Sequence, residues 1–101
     1  MAVYNVSFRI KQIGDHASRY ESVVKCIRAE AIDGDTWEET TSFVVLKSDK
    51  SAQDLCDAIY FGSEFMPDWD KLLVVNLSVK DQATKGAIDY PATLASLMYA
   101  R

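Results

Sequence analysis

The chain has 101 residues, of which 49% are hydrophobic and 26% charged, and its formal net charge is −4. This composition is typical of one globular domain and excludes a disordered chain. No apolar stretch approaches the roughly 20 residues of a membrane span, and the N-terminal residues do not predict a signal peptide. The acidic balance disfavours strong non-specific binding to nucleic acid, which depends on neutralising phosphates.

The first predicted element is a strand over residues 3–10, in the segment AVYNVSFRI. Alternate residues of a strand point to opposite sides of the sheet. We expect one side to face the core, and it carries Tyr4, Val6, Phe8 and Ile10. The other side is mostly polar and carries Val3, Asn5, Ser7 and Arg9.

Two amphipathic helices are predicted next. The first spans 18–31, with Ser18 and Glu21 spaced as a capping box. The second begins after Ser51, which has Asp54 three residues on, and ends near Gly62. Between the helices, residues 37–47 are rich in Thr, Val and Phe and predict a strand. Residues 36–39 either form a short strand paired with it as a hairpin or simply lead into it.

Residues 71–79, KLLVVNLSV, predict an interior strand, because both of its sides are largely apolar up to Asn76. The following segment KDQATKGA is polar and is predicted to be a loop. Pro91 suits the first position of a short C-terminal helix. This element order predicts a single α+β domain over residues 1–101. The expected fold is a ferredoxin-like βαββαβ sandwich, with an antiparallel sheet, two helices on one face and a short C-terminal helix.

Three segments carry a resemblance to a known family: YNVSF, TSFVVLKSDKSAQDLCDAI and DWDKLLVVNLS. Across residues 2–78 the chain resembles the small ferredoxin-fold proteins grouped around VapD, the smaller CRISPR-adaptation subunit and the antitoxin ribonuclease GhoS. The resemblance implies a homodimer, often with joined sheets or edges. In several members it also implies metal-dependent cleavage of RNA or DNA, with an aspartate at the end of the first strand.

Arg9 occupies the position where the resemblance implies that aspartate. A guanidinium has only donors and stays charged, so it does not ligate Mg²⁺. We therefore expect a dimeric binding or regulatory protein, related to toxin–antitoxin and CRISPR-adaptation proteins, without nuclease activity or a cofactor. The alternative is an endoribonuclease that uses Mg²⁺ or Mn²⁺ and another acid such as Asp15.

The predicted binding or interface residues are those of the polar strand side together with the next basic residue: Asn5, Ser7, Arg9 and Lys11. We expect Arg9 and Lys11 to share one strand face, with Asn5 and Ser7 as polar neighbours. A salt bridge or an interface role for Arg9 is favoured over a phosphate contact. The expected partners are a second copy of the chain and, beyond it, a protein more than a nucleic acid, with no membrane.

Other chemical motifs in the sequence are weak. Cys26 and Cys56 lie in apolar helical patterns, which predicts core thiols in a reducing, cytoplasmic compartment and disfavours a nucleophilic pair with His16. The acidic segment DGDTWEE lacks the later ligands of a calcium loop and predicts a solvated turn. Asp68 and Asp70 are interpreted as turn and cap residues. The aromatic residues around the second helix predict either a docking surface or a loop packed on the core; these are Trp37, Phe61, Phe65 and Trp69.

Overall fold

A computed structural model describes all residues, Met1–Arg101. The elements in chain order are β1 (Ala2–Arg9), α1 (His16–Glu30), a 3₁₀ turn (Ile32–Gly34), β2 (Thr36–Thr40), β3 (Phe43–Ser48), α2 (Ala52–Gly62), β4 (Lys71–Asn76), β5 (Gln82–Gly86) and α3 (Pro91–Ala100). The strands form one antiparallel sheet in the order β2-β3-β1-β4-β5. No helix combines the length and the apolar character needed to cross a membrane.

The main core lies between one face of the sheet and the helices α1 and α2. The predicted inner side of β1 is confirmed, because Tyr4, Val6, Phe8 and Ile10 are each no more than 6% exposed. The helices cover them with fully buried aliphatic side chains, among them Val23, Ile27, Leu55 and Ile59. Burying one such side chain contributes about 1.5–3 kcal/mol. This cluster fixes which side of each strand is free to contact anything else.

The predicted α+β class, antiparallel sheet and short C-terminal helix are confirmed. The first six strands and helices follow the βαββαβ order, and the arrangement is compatible with a ferredoxin-like sandwich. The structure adds β5 beside β4, and α3 follows it, so the chain is not a plain βαββαβ unit. Of the two possibilities for residues 36–39, the hairpin is the one observed, with an irregular register between Trp37 and Thr40.

The prediction of a loop over KDQATKGA is wrong, since β5 pairs along the edge of β4. Its inward positions are Ala83, which is buried, and Lys85, whose Nζ lies 4.8 Å from the ring centroid of Tyr60. A lysine stem over an aromatic ring covers apolar surface without appearing hydrophobic in the sequence. The strand therefore lacks the apolar alternation that would have predicted it.

Two predicted boundaries also shift. Helix α1 begins at His16, so Ser18 lies inside it, and its hydroxyl donates to Glu64 Oε1 at 3.1 Å instead of capping. The Ser51 cap of α2 is confirmed, because Ser51 Oγ accepts from the Asp54 N–H at 3.1 Å. Strand β4 ends at Asn76, whose Oδ1 accepts from the N–H groups of Ser78 and Val79 and turns the chain away.

A buried ion pair joins the loops at one end of the sheet. Arg19 is 4% exposed and Asp70 is fully buried, with Arg19 Nη2 at 3.2 Å and Nε at 3.4 Å from the two carboxylate oxygens. The guanidinium also donates to the backbone carbonyls of Ile13, at 2.6 Å, and Lys11, at 2.7 Å. Arg19 therefore closes the segment between β1 and α1, and this closure starts the helix before Ser18.

Asp70 also accepts several hydrogen bonds from the backbone. Its oxygens accept from the N–H groups of Lys11, at 3.0 Å, and Met66, at 2.9 Å, and its own carbonyl accepts from the Ala87 N–H at 2.9 Å. Gly86 is required beside it, because a Cβ there would lie 2.0 Å from the Asp70 carbonyl oxygen. The pair thus links four segments, and the interpretation of Asp70 as an ordinary turn or cap residue is wrong.

We expect Asp70→Ala to lower the free energy of unfolding by about 3–5 kcal/mol, because it leaves the buried Arg19 charge and two backbone N–H groups without their acceptors. Urea denaturation measures the loss. Arg28→Ala is the matched control, since Arg28 pairs with Glu38 at 2.8 Å but is exposed, and its effect should be a small fraction of this. Equal effects of the two substitutions would contradict the assigned role of the buried pair.

Candidate functional site

The face of the sheet opposite α1 and α2, here called the open face, carries most of the predicted binding residues. Asn5 lies on it between Val45 of β3 and Val75 of β4, and Ser7 lies between the next pair along these strands, Phe43 and Leu73. Arg9 lies beside Lys71. The structure therefore places the polar residues of β1 in a central row with apolar neighbours on both sides.

Arg9 and Lys71 form a pair of like charges on adjacent strands, which is an unfavourable arrangement in isolation. The charge of Lys71 is compensated by Asp89, whose Oδ2 lies 2.6 Å from Lys71 Nζ. The hydrogen bond and charge of Lys71 hold the pKa of Asp89 below its usual range, and the charge of Arg9 lowers it further. Arg9 itself makes no ion pair within 4.0 Å in the chain. An exposed cation thus remains free at this edge of the open face.

Lys11 is separated from the other three predicted residues. Strand β1 ends at Arg9, so Lys11 belongs to the segment closed by the buried ion pair, where its N–H and carbonyl contact Asp70 and Arg19. The expectation that Arg9 and Lys11 share one strand face is wrong. The physical reason is that the pairing of β1 with β4 ends at Arg9, and the Lys11 N–H donates to the Asp70 side chain instead.

Asn5 carries an unusual polar atom. Its Oδ1 is buried and has no hydrogen-bond partner in the chain. A buried acceptor without a donor costs about 1–3 kcal/mol, and each such atom in a folded protein calls for an explanation. Asn5 Oδ1 is therefore a buried polar atom of this face that has no partner inside the monomer.

Helix α3 covers the β4 side of the open face. Its half-buried residues, Leu94 and Met98, are four apart and share one helix side. On this side of the sheet, Val75 is only 8% exposed although it lies outside the main core. Arg101 anchors the end of the helix by donating to the Asn76 carbonyl at 3.0 Å.

The β2 and β3 side of the open face is left uncovered. We call the apolar group there the open patch; it consists of Val3, Trp37, Phe43 and Val45. Trp37 is 43% exposed, Val3 is 37% exposed, and the Trp37 ring stands edge-on to Phe43 with 6.4 Å between centroids. Asn5 borders this patch through its pairing with Val45.

The other candidate residues do not gather into a catalytic site. No group of three or more His, Cys, Asp or Glu side chains is placed where it could hold a metal ion. Asp15 lies at the N-cap of α1 and makes no side-chain capping bond. His16 packs near Tyr20, with 6.0 Å between ring centroids.

The two thiols are not activated. Burial raises the pKa of Cys56 to about 11, with a further contribution from the charge of Asp57. Burial, together with the charge of Glu30, also raises the pKa of Cys26. A neutral thiol is a poor nucleophile and a poor metal ligand. Both cysteines are free and are best described as packing residues.

The predicted aromatic surface is divided by the fold. Phe65 is 4% exposed and packs edge-on to Tyr60, and the Trp69 ring lies 5.3 Å from the guanidinium of Arg19. Phe65 thus belongs to the core, whereas Trp69 is 38% exposed beside the buried ion pair. Phe61 stays exposed on α2, whereas Trp37 faces the opposite side of the sheet. Only Trp37 contributes to the open patch.

Sequence reasoning missed Lys71, Arg19 and Asp70. The spacing of Arg19 and Asp70, 51 residues apart, gives no sign that they meet. Lys71 is recognisable in the sequence as the first residue of a predicted strand, but the sequence does not show that this strand pairs with β1 beside Arg9. The comparisons add no relative: no family model, curated protein or solved structure matches the chain.

The thiol of Cys56 generates a pH-dependent prediction. The pKa of a thiol in the unfolded chain is about 8.5, whereas burial raises the pKa of Cys56 in the native protein to about 11. Between these values the unfolded state binds fewer protons, so the free energy of unfolding falls as pH rises, by up to about 1.4 kcal/mol per pH unit. Below about pH 8.5 this contribution is fully present. Urea denaturation as a function of pH measures the slope.

Cys56→Ala should flatten that slope, whatever it does to the stability at neutral pH. Ala58→Gly, on the same helix, is the comparison, because it destabilises α2 without removing a titrating group. An unchanged slope in Cys56→Ala would show that Cys56 ionises normally in the native protein.

Proposed function

We propose that this chain is a small homodimeric, ferredoxin-like protein that acts by binding and regulation, not by cleavage. In this it would be related to the toxin–antitoxin and CRISPR-adaptation proteins that its sequence resembles. The observation that carries the proposal is the open patch, bordered by the unpartnered Oδ1 of Asn5. We expect the dimer to bind a further protein in preference to nucleic acid, because the net charge of −4 disfavours contacts with phosphates.

The proposed occupant of the open patch is a second copy of the chain. A two-fold interface places the same surface of both subunits together, so each residue near the axis meets its own copy. A side-chain amide is self-complementary, because it carries both an acceptor and donors. Asn5 borders the open patch, so its amide would lie close to such an axis.

The composition of the patch also suits an interface. Aromatic residues are enriched in interface cores, and charged residues are depleted there. Trp37 and Phe43 supply adjoining rings, and the neighbouring positions are Val3 and Val45. The two unpaired cations of this face, Lys47 opposite Val3 and Arg9 at the far end of β1, can remain at the rim.

Two observations support binding over cleavage. Arg9 stands where the resemblance implies a metal-binding aspartate, and it lies beside Lys71, which holds the nearby carboxylate of Asp89 in an ion pair. The single chain also offers no cluster of three metal-binding side chains. A cation pair at the end of β1 repels a divalent metal ion.

Sedimentation at micromolar concentration should give twice the 11.3 kDa mass of the chain. Trp37→Ser should raise the dimer dissociation constant about tenfold or more, because it removes an aromatic anchor. Phe61→Ser is the control, since Phe61 is 77% exposed on the other side of the molecule, and it should leave the dimer intact. A monomeric wild-type protein, or equal effects of both variants, would refute this interface.

The purified protein should not cleave labelled RNA in the presence of Mg²⁺ or Mn²⁺. The assay includes a chelator arm and the Asp15→Ala variant. Cleavage that the chelator and Asp15→Ala both abolish would establish the endoribonuclease alternative in place of the binding function.

A further inference from the structure

A second feature of the open face lies under α3, away from the open patch. A shallow cavity of about 310 Å³, open to solvent, lies between the sheet and the start of this helix. Its apolar wall includes Leu73 of β4, Ile88 of the preceding loop and Leu94 of α3, and all three are half-buried. Its polar lining comprises Ser7, Arg9 and Lys71. The volume lies at the small end of the roughly 300–1,000 Å³ range of ligand pockets.

The charges at this cavity leave one positive charge over. Arg9 and Lys71 supply two cations, and Asp89 supplies one carboxylate, which Lys71 holds at 2.6 Å. Arg9 has no ion pair of its own, and its guanidinium presents a planar fork of donors that matches a carboxylate. The matching ligand is therefore a monoanion, and the apolar wall requires that it carry a hydrocarbon part.

We infer that this cavity binds a small amphipathic carboxylate, with the carboxylate on Arg9 and the hydrocarbon part against Leu73, Ile88 and Leu94. Ser7, on the same strand face, adds a hydroxyl donor. Lys71 stays with Asp89 and contributes its charge at longer range. This site is independent of the proposed dimer, which uses the β2 and β3 side of the sheet.

A bound carboxylate would also reduce the repulsion between the like charges of Arg9 and Lys71. Two cations directly opposite on neighbouring strands destabilise a sheet unless an anion lies near both. Asp89 forms a close ion pair only with Lys71, and its charge acts on Arg9 at longer range. A bound carboxylate would complete the alternation of charge across the end of β1 and β4.

The test is a titration of the full chain with octanoate, followed by calorimetry and by amide chemical shifts. Two matched probes separate the parts of the ligand: acetate keeps the charge without the chain, and 1-octanol keeps the chain without the charge. Octanoate should bind saturably, shift the amides around Ser7, Leu73 and Leu94, and bind at least about tenfold more tightly than either probe.

Arg9→Gln should weaken octanoate binding about tenfold while leaving 1-octanol unaffected, because it removes one charged hydrogen-bonding group. Arg9 is exposed, so the fold should tolerate this change. Lys25→Gln is the control, since it removes the same charge from an exposed lysine of α1, on the opposite side of the sheet and away from both the cavity and the open patch. Equal binding of octanoate by wild type and Arg9→Gln, or no saturable binding, would overturn the inference. Tighter binding of octyl phosphate would overturn the assignment to a carboxylate.

Discussion

The buried pair of Arg19 and Asp70 is the constraint on which the rest of the structure depends. Both groups are desolvated, so their attraction compensates for burial only because backbone groups occupy most of the remaining donor and acceptor places. The backbone at Lys11, Ile13 and Met66 fills those places. One interaction therefore sets where β1 stops, where α1 starts and how the chain enters β4. These three boundaries decide which residues reach the open face.

The two faces of the sheet then follow different rules. The inner face is a continuous apolar cluster under α1 and α2, while the open face mixes a central polar row with apolar flanks. Helix α3 covers one flank and leaves the other. Strand β1 runs along the boundary between the covered and the uncovered flank, so its polar side chains are divided between the two. Asn5 belongs to the uncovered flank and Arg9 to the covered one.

Much of this architecture could be predicted from residue patterns, because β1, α2 and β4 follow the periods of two and 3.6 residues closely. Strand β5 could not, since a lysine stem and one alanine take the place of its apolar side. The candidate site was predictable only in part. Alternation placed Asn5, Ser7 and Arg9 on one face, but Lys71 joins them through strand pairing, and Lys11 leaves them because of Asp70. Contacts between residues far apart in sequence decide both outcomes.

Helix α3 contains no fully buried residue and is fastened near its ends, by Asp89 to Lys71 at its start and by Arg101 to the Asn76 carbonyl at its close. Such an element opens locally at a small fraction of the free energy that unfolds the core. Its amide hydrogens should accordingly exchange with solvent far sooner than those of β1, which is paired on both sides. We therefore expect α3 to open without the sheet and the helices α1 and α2.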